Sequence, residues 1–149
     1  MTEKTVIIIP ARYASSRFEG KPLALLTGAT GVARSLIQRS WDTACEVPGV
    51  DDIFVATDND RIAQAVRDFG GQVIMTSDTC RNGTERVAEA LQGLAAPADI
   101  VVNLQGDAPL TPPWFITGLI EEMKRDREVQ MATPVLQCDS HTLNMFIED

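Results

Sequence analysis

The chain has a single histidine, His141, and only three cysteines, Cys45, Cys80 and Cys138, spaced too widely for any C-x-x-C pair. That scarcity argues against a zinc site and a disulfide framework, and a reducing cytosol is the compartment that suits such thiols. His141 has no Ser or Cys nucleophile motif around it, so it reads as a surface residue and a Ser-His-Asp hydrolase has no support. Neither a G-x-x-x-x-G-K-[ST] phosphate loop nor a G-x-G-x-x-G dinucleotide turn occurs. P-loop kinases, GTPases and NAD dehydrogenases are therefore poor readings. No apolar run is long enough to span a bilayer, and the stretch after Glu3 and Lys4 is too short for a signal peptide. The expected location is cytoplasmic, with no membrane partner. A net charge of -8 likewise argues against nucleic acid as a partner, because such surfaces are basic.

The positive charge that is present is concentrated. Residues 1–41 hold six Lys/Arg against two Asp/Glu, whereas residues 42–149 hold seven against nineteen. Arg34 and Arg39 read as solvating a helix face. Arg12, Arg17 and Lys21 are different, since they fall in one loop directly after the apolar run Val6-Ile7-Ile8-Ile9. A buried strand that ends in positive charge is where an α/β protein would hold phosphate.

With 149 residues, 44% hydrophobic and 23% charged, the chain reads as one globular domain over residues 1–149. Val6–Ile9 is a continuous β-branched run of the kind buried in a parallel sheet, and Ile53–Ala56, Val73–Met75 and Ile100-Val101-Val102-Asn103-Leu104 read as three further strands. A further strand is expected over Val129–Leu136, at an edge because of Pro134. Leu23–Leu26 is a short apolar piece, and after the Gly28 and Gly31 turn a helix is expected over Val32–Trp41, with Val32, Leu36 and Ile37 on one face. Other helices are expected to bury Ile62, Val66 and Phe69; Val87, Leu91 and Leu94; and Phe115, Leu119, Ile120 and Met123. Thr57-Asp58-Asn59-Asp60 supplies N-cap chemistry for the first of these, and Thr111 for the last. Strand alternating with helix predicts a three-layer α/β/α fold with a mostly parallel sheet, whose strand C-terminal ends form the ligand face.

A triphosphate is a polyanion, and Arg12, Arg17 and Lys21 with backbone N–H groups suit it. Asp107, just past a strand and behind Gly106, suits either a carboxylate reaching a metal bound to phosphate oxygens, with magnesium the hard cation expected, or an N-cap. Capping accounts for Asp58 and Asp60. It also offers a reading of Thr84 and Glu85, with Glu85 and Glu89 favoured near a helix start.

Taken together these motifs resemble the sugar-acid cytidylyltransferases, and the octulosonate branch in particular. The resemblance covers about residues 5 to 135. It rests on Ile9-Pro10-Ala11-Arg12-Tyr13-Ala14-Ser15-Ser16-Arg17 with Gly20-Lys21-Pro22-Leu23, Val55-Ala56-Thr57-Asp58, Met75-Thr76-Ser77 with Gly83-Thr84-Glu85-Arg86, and Val102-Asn103-Leu104-Gln105-Gly106-Asp107. It implies a nucleotide-diphospho-sugar-transferase-like fold and an attack of the 2-hydroxyl of 3-deoxy-manno-octulosonate on the α-phosphate of CTP, with pyrophosphate leaving and magnesium assisting. By the same resemblance Ala11, Arg12, Ser15, Arg17 and Lys21 hold the triphosphate, and Asp107 binds magnesium. Gln105 lies near the reacting groups, and the Thr76–Arg86 region, with Thr76, Gly83, Thr84 and Arg86, helps recognise cytosine and ribose. CTP and a sugar acid are the implied substrates and a homodimer the implied assembly. Positioning and charge neutralisation would supply most of the rate.

The chain departs from the family pattern in three places. Thr79-Cys80-Arg81-Asn82 stands where the family has Asp-His-x-Ser, Ala108 replaces the Glu of Gln-Gly-Asp-Glu-Pro, and residues 137–149 do not follow the pattern. Family members continue further, so the chain is expected to be the N-terminal portion of a longer architecture. The later part would contribute a second metal-binding aspartate, most sugar-acid contacts and much of the dimer interface. An active synthetase, a homologue that binds nucleotide without turnover, a sialic-acid-type synthetase and a non-catalytic interaction domain all stay open at this point.

Overall fold

Val6 to Ile9 lie at the middle of a parallel sheet. In the computed structural model, which describes residues 3–14, 18–135, 137–140 and 143, strand β1 spans Thr5–Ala11 and is buried at every position. It pairs in parallel with β4 (Asp52–Thr57) on one side and β6 (Ile100–Asn103) on the other. β4 in turn pairs with β5 (Val73–Met75), giving the order β5-β4-β1-β6. The alternation of side chains along a strand divides β1 between two faces. Ile7, Ile9 and Ala11 pack with Ile37 of α1 (Leu36–Cys45), Ile62 and Val66 of α2 (Asp60–Asp68), and Ile116 and Ile120 of α4 (Pro113–Arg125). Val6 and Ile8 pack with Val87 and Ala90 of α3 (Gly83–Gln92). Helices on both faces of a parallel sheet make the three-layer α/β/α arrangement. Because the strands run the same way, Ala11, Thr57 and Met75 align in register and their loops emerge on one edge. Among the described residues no helix is long and apolar enough to cross a membrane.

The structure corrects four local expectations. The helix expected from Val32 begins instead at Leu36, after β3 (Ala33–Ser35) has paired antiparallel with β2 (Leu25–Thr27). Ser35 is the N-cap and accepts from the Gln38 N–H, while Val32 is 52% exposed outside the helix. Nor do Arg34 and Arg39 solvate a helix face: Arg34 of β3 pairs with Asp42 of α1, and Arg39 Nη2 donates to the carbonyls of Leu26 and Val32. These bonds tie the hairpin onto α1. A third correction concerns the strand expected over 129–136. Residues 129–135 form no ladder, and Met131 and Val135 are both 83% exposed. Strand propensity needs a neighbouring strand and a packed face to act on, and Pro134 removes one donor besides. Finally, Thr111 donates to the Ala108 carbonyl and α4 starts from Pro112 with no side-chain cap. Leu136 and His141 lie outside the described residues.

Candidate active site

The chain leaves β1 at Ala11 into Arg12 and returns through Gly20 into a short 3-10 turn, Lys21–Leu23. Lys21 Nζ there meets Asp107 Oδ2 at 2.9 Å, with the two side chains 44% and 56% exposed. Asp107 is carried by the continuation of β6. Leu104 is buried beneath it, and Gly106 sits so close to β1 that a Cβ would stand 2.9 Å from the Pro10 carbonyl oxygen. Ser40 Oγ of α1 donates to the Gly106 carbonyl at 2.9 Å. Two core elements thus hold the backbone just before Asp107. The N-cap reading of Asp107 falls, because α4 begins six residues later, at Pro113.

The facing wall is the start of α3. Asn82 caps the helix by accepting from the Glu85 N–H at 2.9 Å. Gln105 lies across Gly83, where a Cβ would come within 3.1 Å of its Oε1, and its Nε2 donates to Asn103 Oδ1 at 2.8 Å. Arg86 is 2% exposed. Its guanidinium donates to Asp58 Oδ2 at 2.8 Å, Thr76 Oγ1 at 2.5 Å and the Ser77 carbonyl at 3.3 Å. Arg86 therefore joins the ends of β4 and β5 to α3. Asp58 is its counter-charge rather than a cap; Asn59 caps α2 by accepting from the Arg61 N–H, and Asp60 occupies the first turn.

Between β5 and α3 the chain is held by carboxylates of α3. Glu89, in the second turn of α3, accepts from the Ser77 N–H at 2.5 Å and from Cys80 Sγ at 3.1 Å. The Ser77 N–H, then the Cys80 thiol, hold the Glu89 carboxyl below its ordinary value. Burial first, then the bond to Glu89, push the Cys80 thiol up, so it stays a neutral donor. Glu85 is held low in the same way by the Arg81 side chain and then by the Arg81 N–H.

The two walls enclose a cleft of about 260 Å³. The sequence model of the cytidylyltransferase family matches residues 6–145. This chain belongs to that family. A 3-deoxy-manno-octulosonate cytidylyltransferase of Maricaulis maris is 50% identical over 135 residues, which cover 91% of this chain and 50% of that protein. The mitochondrial protein of the same name from Arabidopsis thaliana is 48% identical over 132 residues, covering 89% of this chain and 44% of that one. A solved CMP:2-keto-3-deoxy-manno-octonic acid synthetase complexed with CTP superposes with a TM-score of 0.78 at 42% identity, covering 85% of this chain and 50% of that chain. The chain spans about half the length of the relatives it matches.

In this chain of the cytidylyltransferase family, Ala11, Arg12, Lys21, Gly83, Arg86, Gln105 and Asp107 all line the cleft. Thr76 and Thr84 stand behind its lining: Thr76 is engaged by Arg86, and Thr84 Oγ1 accepts from Asn103 Nδ2 at 3.4 Å. Ser15 and Arg17 lie outside the described residues. Sequence reasoning missed Asp58 as a partner of Arg86. The available signal was an arginine on the buried face of an amphipathic helix, which requires a counter-charge nearby. It also took Cys80, Arg81 and Asn82 only as part of a region, yet each lines the cleft.

Proposed function

We propose that this cleft binds CTP and that the reaction it serves is transfer of CMP to the 2-hydroxyl of 3-deoxy-manno-octulosonate, releasing pyrophosphate. The observation that carries this reading is the meeting of Lys21 with Asp107 at 2.9 Å beside Arg12, in a chain 50% identical to an octulosonate cytidylyltransferase. Arg12 and Lys21, with Ser15 and Arg17 from the same loop, hold the triphosphate. Gln105 faces the reacting groups, and the start of α3 at Gly83 flanks the nucleoside. The attacking oxygen forms a bond to the α-phosphorus as the bond to the β-phosphate oxygen breaks, and the hydroxyl proton is lost. These side chains orient and neutralise rather than form a covalent intermediate.

Asp107 is the residue that would hold magnesium. A half-exposed carboxylate at a strand end fits that ion, which is commonly bound through one or two carboxylates, with substrate phosphates and water completing its shell. Among the described residues no group of three metal-ligating side chains is assembled. When bound, magnesium supplies charge neutralisation at the phosphates. Cytoplasmic location and a homodimer belong to the same proposal.

Titrating the chain with CTP, with and without magnesium, tests the binding claim, and pyrophosphate release on adding the sugar acid tests the transfer. Magnesium-dependent CTP binding and sugar-acid-dependent release are expected. Absence of CTP binding at millimolar concentration would remove the proposal.

A further inference from the structure

Arg12 and Lys21 are useful to a phosphate only if they are held in place, and the described segments that carry them are fastened to each other through Tyr13. The Gly20 N–H donates to the Tyr13 carbonyl at 2.9 Å. Gly20 has φ +69, a conformation that favours glycine, and a Cβ there would stand 3.1 to 3.3 Å from Cε2, Cζ and Oη of Tyr13. The ring thus lies directly against the Gly20 α-carbon. On its other side the ring is anchored to α2: Arg61 Nη1 donates to Tyr13 Oη at 2.9 Å, and the Arg61 guanidinium carbon lies 5.4 Å from the ring centroid. Tyr13 also packs against the core cluster that includes Ile62 and Val66. Immediately after Gly20 comes Lys21, whose ammonium reaches Asp107.

We infer that Tyr13 is a positioning residue for the phosphate-holding loop, acting through Gly20 on Lys21, with Arg61 as its anchor. The inference rests on the CTP reading of the cleft. A tyrosine suits this place because its Cε2, Cζ and Oη lie beside a glycine with no Cβ while its hydroxyl accepts from a cation on the neighbouring helix. Its effect on nucleotide binding is indirect and passes through where Lys21 starts.

The test is CTP affinity, measured calorimetrically with magnesium on the full chain, for Tyr13→Leu, Tyr13→Phe, Lys21→Ala and the double variant Tyr13→Leu/Lys21→Ala, each with its thermal midpoint. Tyr13→Leu is expected to weaken CTP by about tenfold, since small misplacements of a binding group are expensive. Tyr13→Phe, which keeps the ring beside Gly20 but loses the hydroxyl that Arg61 holds, should fall between the unaltered chain and Tyr13→Leu. In the double variant Tyr13→Leu should add little to Lys21→Ala, because the two act as one unit. Affinity of Tyr13→Leu within about twofold of the unaltered chain overturns the inference, as do additive losses, which mark general destabilisation. Should Tyr13→Leu not fold, Arg61→Met at an exposed site of α2 replaces it: a loss that vanishes in the Lys21→Ala background supports the role, and unchanged affinity overturns it. If Lys21→Ala itself leaves CTP affinity intact, the functional reading falls. If Lys21→Ala weakens binding and Tyr13→Leu does not, only the role of Tyr13 falls.

Discussion

Arg86 and Asp58, 28 residues apart in the chain, meet at 2.8 Å with their side chains 3% and 18% exposed. This pair, with Thr76 as third partner, is the joint between the ends of β4 and β5 and the first turn of α3. Asp58→Asn would leave a buried guanidinium without a counter-charge. The expected loss is about 3 kcal/mol, the lower end of the range for broken buried pairs because Asp58 keeps some contact with water. Urea unfolding measures it, and a loss under about 0.5 kcal/mol would show that the pair is dispensable.

Lys21 and Asp107 predict two separable defects. Lys21→Ala removes one charge-assisted contact and should weaken CTP binding by roughly 1.5–3 kcal/mol. Asp107→Asn should abolish the gain in CTP affinity on adding magnesium while leaving magnesium-free binding in place. An undiminished magnesium effect in Asp107→Asn would take the metal role away from that carboxylate.

Glu89 predicts a pH dependence. The Ser77 N–H and the Cys80 thiol hold its carboxyl below the ordinary 4.5, so its contribution is complete above about pH 4.5 and is lost as pH falls through the lower native value. Glu89→Gln should therefore lower the thermal midpoint at pH 7, with the gap to the unaltered chain closing as pH is taken progressively below the ordinary 4.5. No gap at pH 7 would contradict an ionised Glu89 as the anchor of Ser77 and Cys80.

Gly106 predicts a steric defect near the site. A Cβ at 2.9 Å from the Pro10 carbonyl oxygen meets backbone, which cannot rotate away. Gly106→Ala should cost about 1–3 kcal/mol in stability and weaken CTP binding by displacing Asp107. A variant with unaltered melting and affinity would show that β1 and the Gly106 segment can part freely.

The sheet was legible because strands of a parallel sheet covered by helices are rich in apolar, β-branched residues, as Val6–Ile9, Ile53–Ala56 and Ile100–Val102 are. Val32–Trp41 was not, since one apolar pattern serves a helix or a strand that runs into one. The bonds from Arg39 to Leu26 and Val32, and the cap at Ser35, choose between them. Within Thr57–Asp60 all four neighbouring side chains have capping chemistry. Asn59 takes the role because the helix starts one residue later, which frees Asp58 for Arg86.

Local chemistry, carried in the order of residues, was enough to say which segments form the sheet, which loop is cationic and that Asp107 follows the strand beginning at Ile100. Such properties depend on neighbours in the chain. The partnerships were settled only by folding: Lys21 with Asp107, Arg86 with Asp58, and Tyr13 with Gly20 and Arg61. Each except Tyr13 with Gly20 joins residues separated by a helix or more, and parallel strand order places their loops on one edge. No pattern of nearby residues encodes such a meeting, because it is a property of how the sheet is assembled.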